Sequence, residues 1–308
     1  MLRQVLLALS RRPAIGASLE RSGLTRGAVR RFVAGADVPD ALAAARALPP
    51  GCAAALTYLG ENVTTAEAAG AAAEVYRRTV REALADGLAP SLSVKLTQLG
   101  LDLGDAVASG NARAILEEAR AGGLFVRIDM EGSAYTDRTL ALHEALAREF
   151  DNVGVVIQAY LYRSERDLDR LIQSGANVRL VKGAYREPPD IAYPKKRDVD
   201  AAFLRLITQH FSALARGARG VCAVATHDPH MVAHAEAEAA RLRLPRDRFE
   251  FQLLYGIGAD LRDRLLAAGY RVRVLVPFGK SWYGYFMRRL AERPANLLFV
   301  LRAVLQGD

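Results

Sequence analysis

Residues 153–181 read VGVVIQAYLYRSERDLDRLIQSGANVRLV. Two short apolar runs, Val153–Ala159 and Val178–Val181, flank a segment with helical periodicity, Ser164–Gln173. Apart from an arginine, both runs are almost continuously apolar and do not alternate with polar residues. Strands that are covered on both faces have this pattern, which is typical of parallel sheets. The stretch therefore predicts a strand, a helix and a second strand parallel to the first.

The same alternation extends along most of the chain. The strand-like runs are Cys52–Tyr58, Leu92–Leu96, Phe125–Asp129, Val153–Ala159, Val178–Val181, Val221–Thr226, Phe249–Leu253 and Val272–Val276. The helical segments between them are Thr65–Ala85, Ala106–Ala121, Asp137–Phe150, Ser164–Gln173, Asp198–Ala215, Pro229–Arg243 and Asp260–Ala268. Eight such strands predict an α/β fold, the (β/α)8 TIM-type barrel. A doubly wound open sheet is the alternative, but LGENVTT after the first strand lacks the glycine fingerprint of its dinucleotide-binding variant.

The two ends of the chain extend this barrel. Residues 1–48 are predicted to form an N-terminal helical extension, and residues 49–308 the catalytic barrel domain. Beyond the last strand, Trp282–Glu292 and Ala295–Gln306 predict one or two further helices, the first lying over the barrel mouth. The opening MLRQVLLALSRRP predicts a short amphipathic helix, for which peripheral membrane contact is a minor alternative.

Charge and cysteine content narrow the class of protein. The net charge is +8, but the arginines are scattered among acidic residues and no basic run is interleaved with aromatics, so we expect no nucleic-acid partner. Cys52 and Cys222 both lie in apolar runs, which favours free thiols in a reducing compartment. We therefore expect a cytoplasmic protein, with peripheral contact to the inner membrane as an alternative.

Polar side chains lie at the predicted carboxyl ends of the strands, where barrel enzymes place their chemistry. They are Glu61, Lys95, Asp129, Glu131, Gln158, Tyr160, Arg179, Lys182, Tyr185, Thr226, His227, Asp228, Gln252 and Tyr255. For any one of them, a buried ion pair that seals the barrel is an equally good interpretation. All of them at one end favour a binding site.

The predicted final helix carries a pair of arginines, Arg288 and Arg289, in SWYGYFMRRLAERP. Guanidinium groups bind carboxylates through two parallel hydrogen bonds. If the helix lies across the barrel mouth, both side chains can flank one anion, and Glu61 and Glu292 are natural partners for them in the empty site. A small substrate with a carboxylate is therefore expected.

Three other functions stay open on the residues alone. His230 and His234 have the i,i+4 spacing of zinc ligands beside His227, although the glutamate of the H-E-x-x-H motif is absent because Met231 stands in its place. Lys95 or Lys182 inside a barrel would suit a Schiff-base lyase. A barrel that only binds a metabolite or a protein partner is the non-catalytic alternative.

Eight sequence blocks resemble the proline dehydrogenase family, in the order of that family. They are LTYLGENV, LSVKLTQLG, VRIDMEGSAYTDRT, VVIQAYLYRS, NVRLVKGAYRE, VATHDPH, FEFQLLYGI and WYGYFMRRLAERPAN. The compact length is similar to that of the monofunctional bacterial enzymes. The resemblance implies a non-covalently bound FAD, oxidation of L-proline to Δ1-pyrroline-5-carboxylate as the first step of proline catabolism, and a quinone as the electron acceptor.

The resemblance also implies roles for residues on the substrate side. Arg288 and Arg289 would hold the substrate carboxylate, and Lys95, paired with Asp129, would complete the pocket around it. Glu61 would pair with Arg288 as a gate over the substrate.

Further roles implied by the resemblance concern the apolar wall and the cofactor. Leu254 would line the apolar side of the pocket, where Leu275 departs from the tyrosine of most family members and suggests a ring-substituted proline such as hydroxyproline as an alternative substrate. The residues that would hydrogen-bond the isoalloxazine ring are Arg179 and Gln158. Those that would contact other parts of the cofactor are Lys182, Thr226 and His227.

Overall fold

The computed structural model describes residues 29–292, with the backbone alone for residues 288–292. The amphipathic helix predicted at the start of the chain and the helix predicted over Ala295–Gln306 lie outside the described residues. Within residues 29–292, no helix is both long enough and apolar enough to cross a membrane.

Eight parallel strands close into a barrel, which confirms the predicted (β/α)8 fold. They are β1 (Cys52–Tyr58), β2 (Ser91–Val94), β3 (Val126–Ile128), β4 (Val153–Gln158), β5 (Asn177–Val181), β6 (Cys222–Ala225), β7 (Phe249–Leu254) and β8 (Val272–Phe278). The barrel closes where β8 pairs with β1 along its whole length, from Cys52 opposite Val272 to Tyr58 opposite Phe278. Strands β2, β3 and β6 end earlier than the apolar runs predicted for them, so Lys95, Asp129 and Thr226 lie just beyond these strands.

Helices cover the outside of the barrel. They are α1 (Val38–Arg46), α2 (Ala66–Ala85), α3 (Asp105–Ala121), α4 (Thr136–Ala147), α5 (Ser164–Ser174), α6 (Lys196–Ala215), α7 (Pro229–Arg241), α8 (Ala259–Ala267) and α9 (Tyr283–Glu292). Two side chains act as helix caps: Thr65 accepts a hydrogen bond from Ala68 N at the start of α2, and Asp228 accepts one from His230 N in front of α7. Both caps satisfy amide groups that the first turn leaves without a partner.

Helix α1 takes the position that a helix after β8 would occupy in a regular barrel. Its buried residues Val38 and Leu42 belong to the same core cluster as Leu56 of β1 and Val274 and Val276 of β8. The division into domains at residue 48 stays a prediction, although α1 packs as part of the barrel wall.

Because α1 occupies the position of the eighth outer helix, the chain after β8 can cross the barrel mouth instead. Phe286 of α9 packs with Phe32, with Leu59 from the end of β1 and with Ile257 from the loop after β7. Strands β1 and β7 both end at the mouth, so α9 lies over it, as predicted. The segment before α1 packs closely against the loop after β7. Gly256 in that loop has a φ of +74°, and a Cβ at this position would lie 1.7 Å from Arg31 O. Only glycine permits this approach.

Candidate active site

The lower half of the barrel interior contains one ion pair, which we call the lower pair: Glu250 of β7 and Arg273 of β8. Arg273 Nε lies 3.0 Å from Glu250 Oε1, and its Nη1 donates to Ala54 O at 3.1 Å and to Ser91 Oγ at 3.3 Å. Burial alone would raise the pKa of Glu250, but the Arg273 charge brings it below its ordinary value. The protein itself supplies partners for both groups, which is what a structural ion pair requires.

A second group of polar residues lies closer to the mouth. We call Asp129, Glu131, Gln158 and Arg179 the upper cluster; all except Asp129 are buried. Asp129 and Glu131 follow β3, Gln158 is the last residue of β4, and Arg179 lies inside β5 with a side chain long enough to reach them. Successive parallel strands end on the same side of the barrel. The predicted binding residues of these three strands are therefore brought together.

Arg179 connects the strands of the upper cluster. Its Nη1 lies 2.8 Å from Asp129 Oδ1 and 3.0 Å from Ser93 Oγ, and its Nε lies 2.5 Å from Gln252 Oε1. Burial lowers the pKa of Arg179, and the Asp129 carboxylate opposes this effect. The pairing of Lys95 with Asp129 stays a prediction. Arg179 reaches across the interior to Oδ1 of this carboxylate, and Ser93 Oγ donates to the same oxygen at 2.7 Å.

Gln158 presents an unsatisfied acceptor. Its Nε2 donates to Met130 O at 3.2 Å and to Glu131 O at 3.1 Å, which fixes the orientation of the amide. Its Oε1 is buried and has no hydrogen-bond partner within residues 29–292. Leaving a buried acceptor unpaired costs about 1–3 kcal/mol. This position therefore calls for a ligand that donates a hydrogen bond.

Lys182 follows β5 and forms two ion pairs. Its Nζ lies 2.6 Å from Asp200 Oδ1 and 2.7 Å from Asp228 Oδ2. Both ion pairs engage the Nζ that a Schiff-base nucleophile would present to its substrate. This geometry does not favour the lyase interpretation at Lys182.

Thr226 and His227 lie on the neighbouring strand end, after β6. Thr226 Oγ1 accepts from Asp228 N at 3.1 Å, and His227 Nε2 accepts from Leu254 N at 2.9 Å. Because Nε2 is an acceptor, the neutral ring carries its proton on Nδ1. The three residues predicted to contact the outer parts of the cofactor thus share one side of the mouth.

The two leucines predicted in the substrate pocket are neighbours across the sheet. Leu254 of β7 is in register with Leu275 of β8, and both side chains are half-buried. They form an apolar wall on the side of the mouth opposite Asp129.

Glu61 and Lys95 follow β1 and β2, and both are half-buried. Burial raises the pKa of Glu131, hydrogen bonds from Thr97 oppose this, and the charges of Lys95 and Glu61 also act on it. The three ionisable groups therefore lie near one another. Helix α9 carries Arg288 and Arg289, whose side chains lie outside the described part of the structure.

The histidines of the β6–α7 region do not assemble a metal centre. His234 Nε2 lies 2.9 Å from Thr208 Oγ1. Among residues 29–292, no group of three or more histidine, cysteine, aspartate or glutamate side chains is placed to hold a metal ion.

Several residues of the interior network went unnoticed in the sequence. Ser93, Glu250 and Arg273 lie within apolar strands and contribute to the ion pairs, and Thr97 binds Glu131. Their signal is a period of two: Ser91, Ser93 and Lys95 alternate in SLSVK, as Glu250, Gln252 and Leu254 do in FEFQLL.

The family model described as proline dehydrogenase matches residues 41–302. The chain belongs to the proline dehydrogenase family. Proline dehydrogenase 1 of Bacillus subtilis is 40% identical over 307 residues, which make up 99% of this chain and 100% of that protein. Proline dehydrogenase of Deinococcus radiodurans is 39% identical over 99% of this chain and 98% of its own length. These matches confirm the family that was predicted from the eight sequence blocks.

The barrel is also similar to solved structures of proline utilization A. The protein from Bdellovibrio bacteriovorus, inactivated by N-propargylglycine, matches 87% of this chain with a TM-score of 0.79 and 25% identity. A mutant of the Bradyrhizobium japonicum protein matches 89% with a TM-score of 0.73 and 23% identity, a likeness of fold. This chain spans about a third (32%) of the length of either protein.

Proposed function

We propose that this protein oxidises L-proline to Δ1-pyrroline-5-carboxylate with FAD as the bound oxidant. The observation that carries the proposal is the upper cluster, where a buried acceptor without a partner, Gln158 Oε1, belongs to the same polar group as the buried cation Arg179. Family membership and the relatives named proline dehydrogenase support the same activity.

The residues at the mouth fit a flavin. Gln158 Oε1 would accept from the imide N–H of the ring, and the amide is already held in orientation by Met130 O and Glu131 O. Arg179 would place positive charge beside the ring, which stabilises its electron-rich reduced form. Thr226, His227 and Lys182 would contact the remainder of the cofactor. When bound, FAD supplies the acceptor for the hydride that the substrate loses.

The substrate would lie between charged and apolar residues. Arg288 and Arg289 would bind its carboxylate from α9, assisted by Lys95, while Leu254 and Leu275 would pack against the ring. Proline loses a hydride from the ring carbon next to nitrogen and a proton from the nitrogen itself. Nearby cations disfavour the ammonium form of the substrate through like-charge repulsion, and so favour the neutral amine that reacts. Glu61 would close over the bound substrate by pairing with Arg288.

Ring-substituted prolines are a second candidate substrate class because of Leu275. A leucine has no hydroxyl to offer a substituent, and it gives the wall beside Leu254 a different shape from that of a tyrosine. Hydroxyproline is therefore the alternative substrate that we propose to compare.

The reduced flavin must pass on two electrons. We propose a quinone as their acceptor, a cytoplasmic location and peripheral contact with the inner membrane. A quinone dissolved in lipid would make such contact advantageous.

An anaerobic titration tests the proposal. Purified protein, reconstituted with FAD if necessary, is mixed with L-proline while the visible absorption of the flavin is recorded, with D-proline as the control. We expect L-proline to bleach the flavin and a product lighter than proline by one molecule of hydrogen. Protein that does not retain FAD, or a flavin that L-proline leaves oxidised, would contradict the proposal.

A further inference from the structure

Glu131 belongs to the upper cluster but has no role in the reaction described above. It follows β3 by three residues and is 3% exposed. Both of its carboxylate oxygens are occupied by one residue: Thr97 N donates to Oε1 at 3.1 Å and Thr97 Oγ1 donates to Oε2 at 2.6 Å. A buried carboxylate with two such donors fixes the loop that supplies them.

Thr97 in turn fixes the residues next to Glu61. Its hydroxyl accepts from Asn62 N at 2.9 Å, and its main-chain oxygen accepts from Val63 N at 3.2 Å. Asn62 directly follows Glu61 and has a φ of +54°, a left-handed conformation that is uncommon for a residue other than glycine.

Side-chain contacts stabilise this conformation of Asn62. Its Nδ2 lies 3.1 Å from Asp102 Oδ2 and 3.1 Å from Tyr135 OH. The backbone that carries Glu61 is thereby held against the loop after β2, and the direction of the Glu61 side chain depends on that attachment.

The main chain of Glu131 contacts Gln158, the residue proposed to bind the flavin ring. Its main-chain oxygen accepts from Gln158 Nε2 at 3.1 Å, which turns Gln158 Oε1 to the position where the ring would bind. A single residue therefore joins the loop of Glu61, through Thr97, to the amide of Gln158.

We propose that Glu131 is a positioning residue that holds the substrate gate and the flavin-binding amide at a fixed separation. The inference rests on the proposed function, in which Glu61 closes over the substrate and Gln158 binds the ring. Its consequence is that the Thr97 hydroxyl contributes to the binding of the substrate carboxylate without touching it.

Thr97→Val removes the hydroxyl at almost constant volume, and Thr97→Ser retains it. The ligand is tetrahydrofuran-2-carboxylate, which has the ring and carboxylate of proline but no amine to oxidise, and its Kd is measured by calorimetry on the FAD-bound protein. We expect Thr97→Val to weaken binding about tenfold, the effect of one lost hydrogen bond to a charged group. It should also shift the visible absorption band of the flavin, because Gln158 moves. Thr97→Ser should stay within about threefold of the parent on the same scale.

Thr79 provides a matched control. It is a fully buried threonine on α2, and its Oγ1 donates to Val75 O of the same helix at 2.8 Å. Thr79→Val makes the same exchange of a hydroxyl for a methyl group away from the barrel mouth, and it should leave both the Kd and the flavin band unchanged.

The outcomes separate this inference from the function on which it rests. Equal effects of Thr79→Val and Thr97→Val on the Kd, or an unchanged Kd in Thr97→Val, would overturn the positioning role alone, provided that the parent protein is bleached by L-proline. A parent protein that binds neither ligand nor substrate would overturn both.

Discussion

The lower pair and the upper cluster are both charged groups inside an apolar barrel, but their hydrogen bonds are completed differently. Glu250 and Arg273 satisfy each other and nearby protein oxygens, with Nε to Oε1 at 3.0 Å. In the upper cluster, Arg179 and Asp129 pair at 2.8 Å, yet Gln158 Oε1 beside them stays without a partner in residues 29–292.

This difference separates structural charge from charge that serves a ligand. A buried polar group that is completed by protein contributes to folding alone, and losing one partner leaves an uncompensated charge. A buried polar group with an open hydrogen-bonding position is retained at a cost in stability, and where it lies at the mouth of a barrel, among the strand ends that carry the chemistry of such folds, it indicates a group that a ligand completes. Gln252 joins the two groups, because it donates to Glu250 and accepts from Arg179. Substitutions in the lower pair should therefore act mainly on unfolding, and those in the upper cluster mainly on chemistry.

Glu250→Gln should give the largest effect. It leaves Arg273, whose side chain is 18% exposed, without its opposing charge, and we expect the free energy of unfolding to fall by about 3 kcal/mol. Urea denaturation measures the change, with Glu144→Gln as the control, because the Glu144–Arg148 pair is 67% and 74% exposed and should contribute less than about 1 kcal/mol. Similar losses in both variants would remove the distinction between buried and exposed pairs.

Two buried histidines on the outer helices provide a further test of how buried polar groups affect stability. His143 on α4 and His210 on α6 have no partner for either ring nitrogen within the described range, and burial, with a contribution from the Arg127 charge, lowers the pKa of each to about 4. Since both rings must be neutral in the folded protein, the unfolded chain binds more protons between pH 4 and the ordinary value of 6.5.

Stability should consequently fall as the pH is lowered from about 6.5 to about 4, by about 3 kcal/mol for each histidine. Urea denaturation across this range measures the slope, and replacing both residues by leucine should make it shallower without changing the KM for proline at neutral pH. A slope that the double variant retains would assign the acid sensitivity to other groups.

Arg179→Lys should have its main effect on chemistry. Lysine keeps the charge but cannot reach Asp129, Ser93 and Gln252 together. We expect the rate of flavin reduction by proline to fall about a hundredfold, a magnitude common for lost electrostatic contacts in active sites. Stopped-flow reduction and urea denaturation should be recorded side by side. If Arg179→Lys loses more stability than Glu250→Gln and its flavin is still reduced at the parent rate, the roles assigned to the lower pair and the upper cluster would be reversed.

Leu275→Tyr should give the smallest effect. It adds a hydroxyl to the wall beside Leu254, and one altered contact in a pocket changes substrate preference by about tenfold. The ratio of kcat/KM for proline and hydroxyproline measures this preference, with the parent protein as reference. If both proteins show the same ratio, position 275 does not contact the substituted part of the ring.

The fold could be predicted from the sequence because the strands are short, mostly apolar runs that alternate with segments of helical periodicity. The end of β1 at Tyr58 and the start of β7 at Phe249 coincide with the predicted limits, and the caps at Thr65 and Asp228 are local signals. Such features depend on neighbours along the chain, and periodicity reports them directly.

The pairing inside the barrel could not be predicted in the same way. Lys95 and Asp129 occupy equivalent positions after adjacent strands, and their pairing was a reasonable expectation. The structure adds a contact that this pattern did not predict: Arg179, two strands away, reaches across the interior to Asp129 Oδ1. Contacts between distant strands depend on side-chain length and on the closure of the barrel, neither of which a linear pattern contains.

A crystal structure of the protein with FAD and tetrahydrofuran-2-carboxylate would test the central claim most directly. The account predicts the flavin ring at the barrel mouth with its imide N–H on Gln158 Oε1, Arg179 beside it, and the ligand carboxylate between Lys95 and the arginines of α9. A flavin bound away from the mouth, or a Gln158 Oε1 still without a donor in the complex, would contradict it.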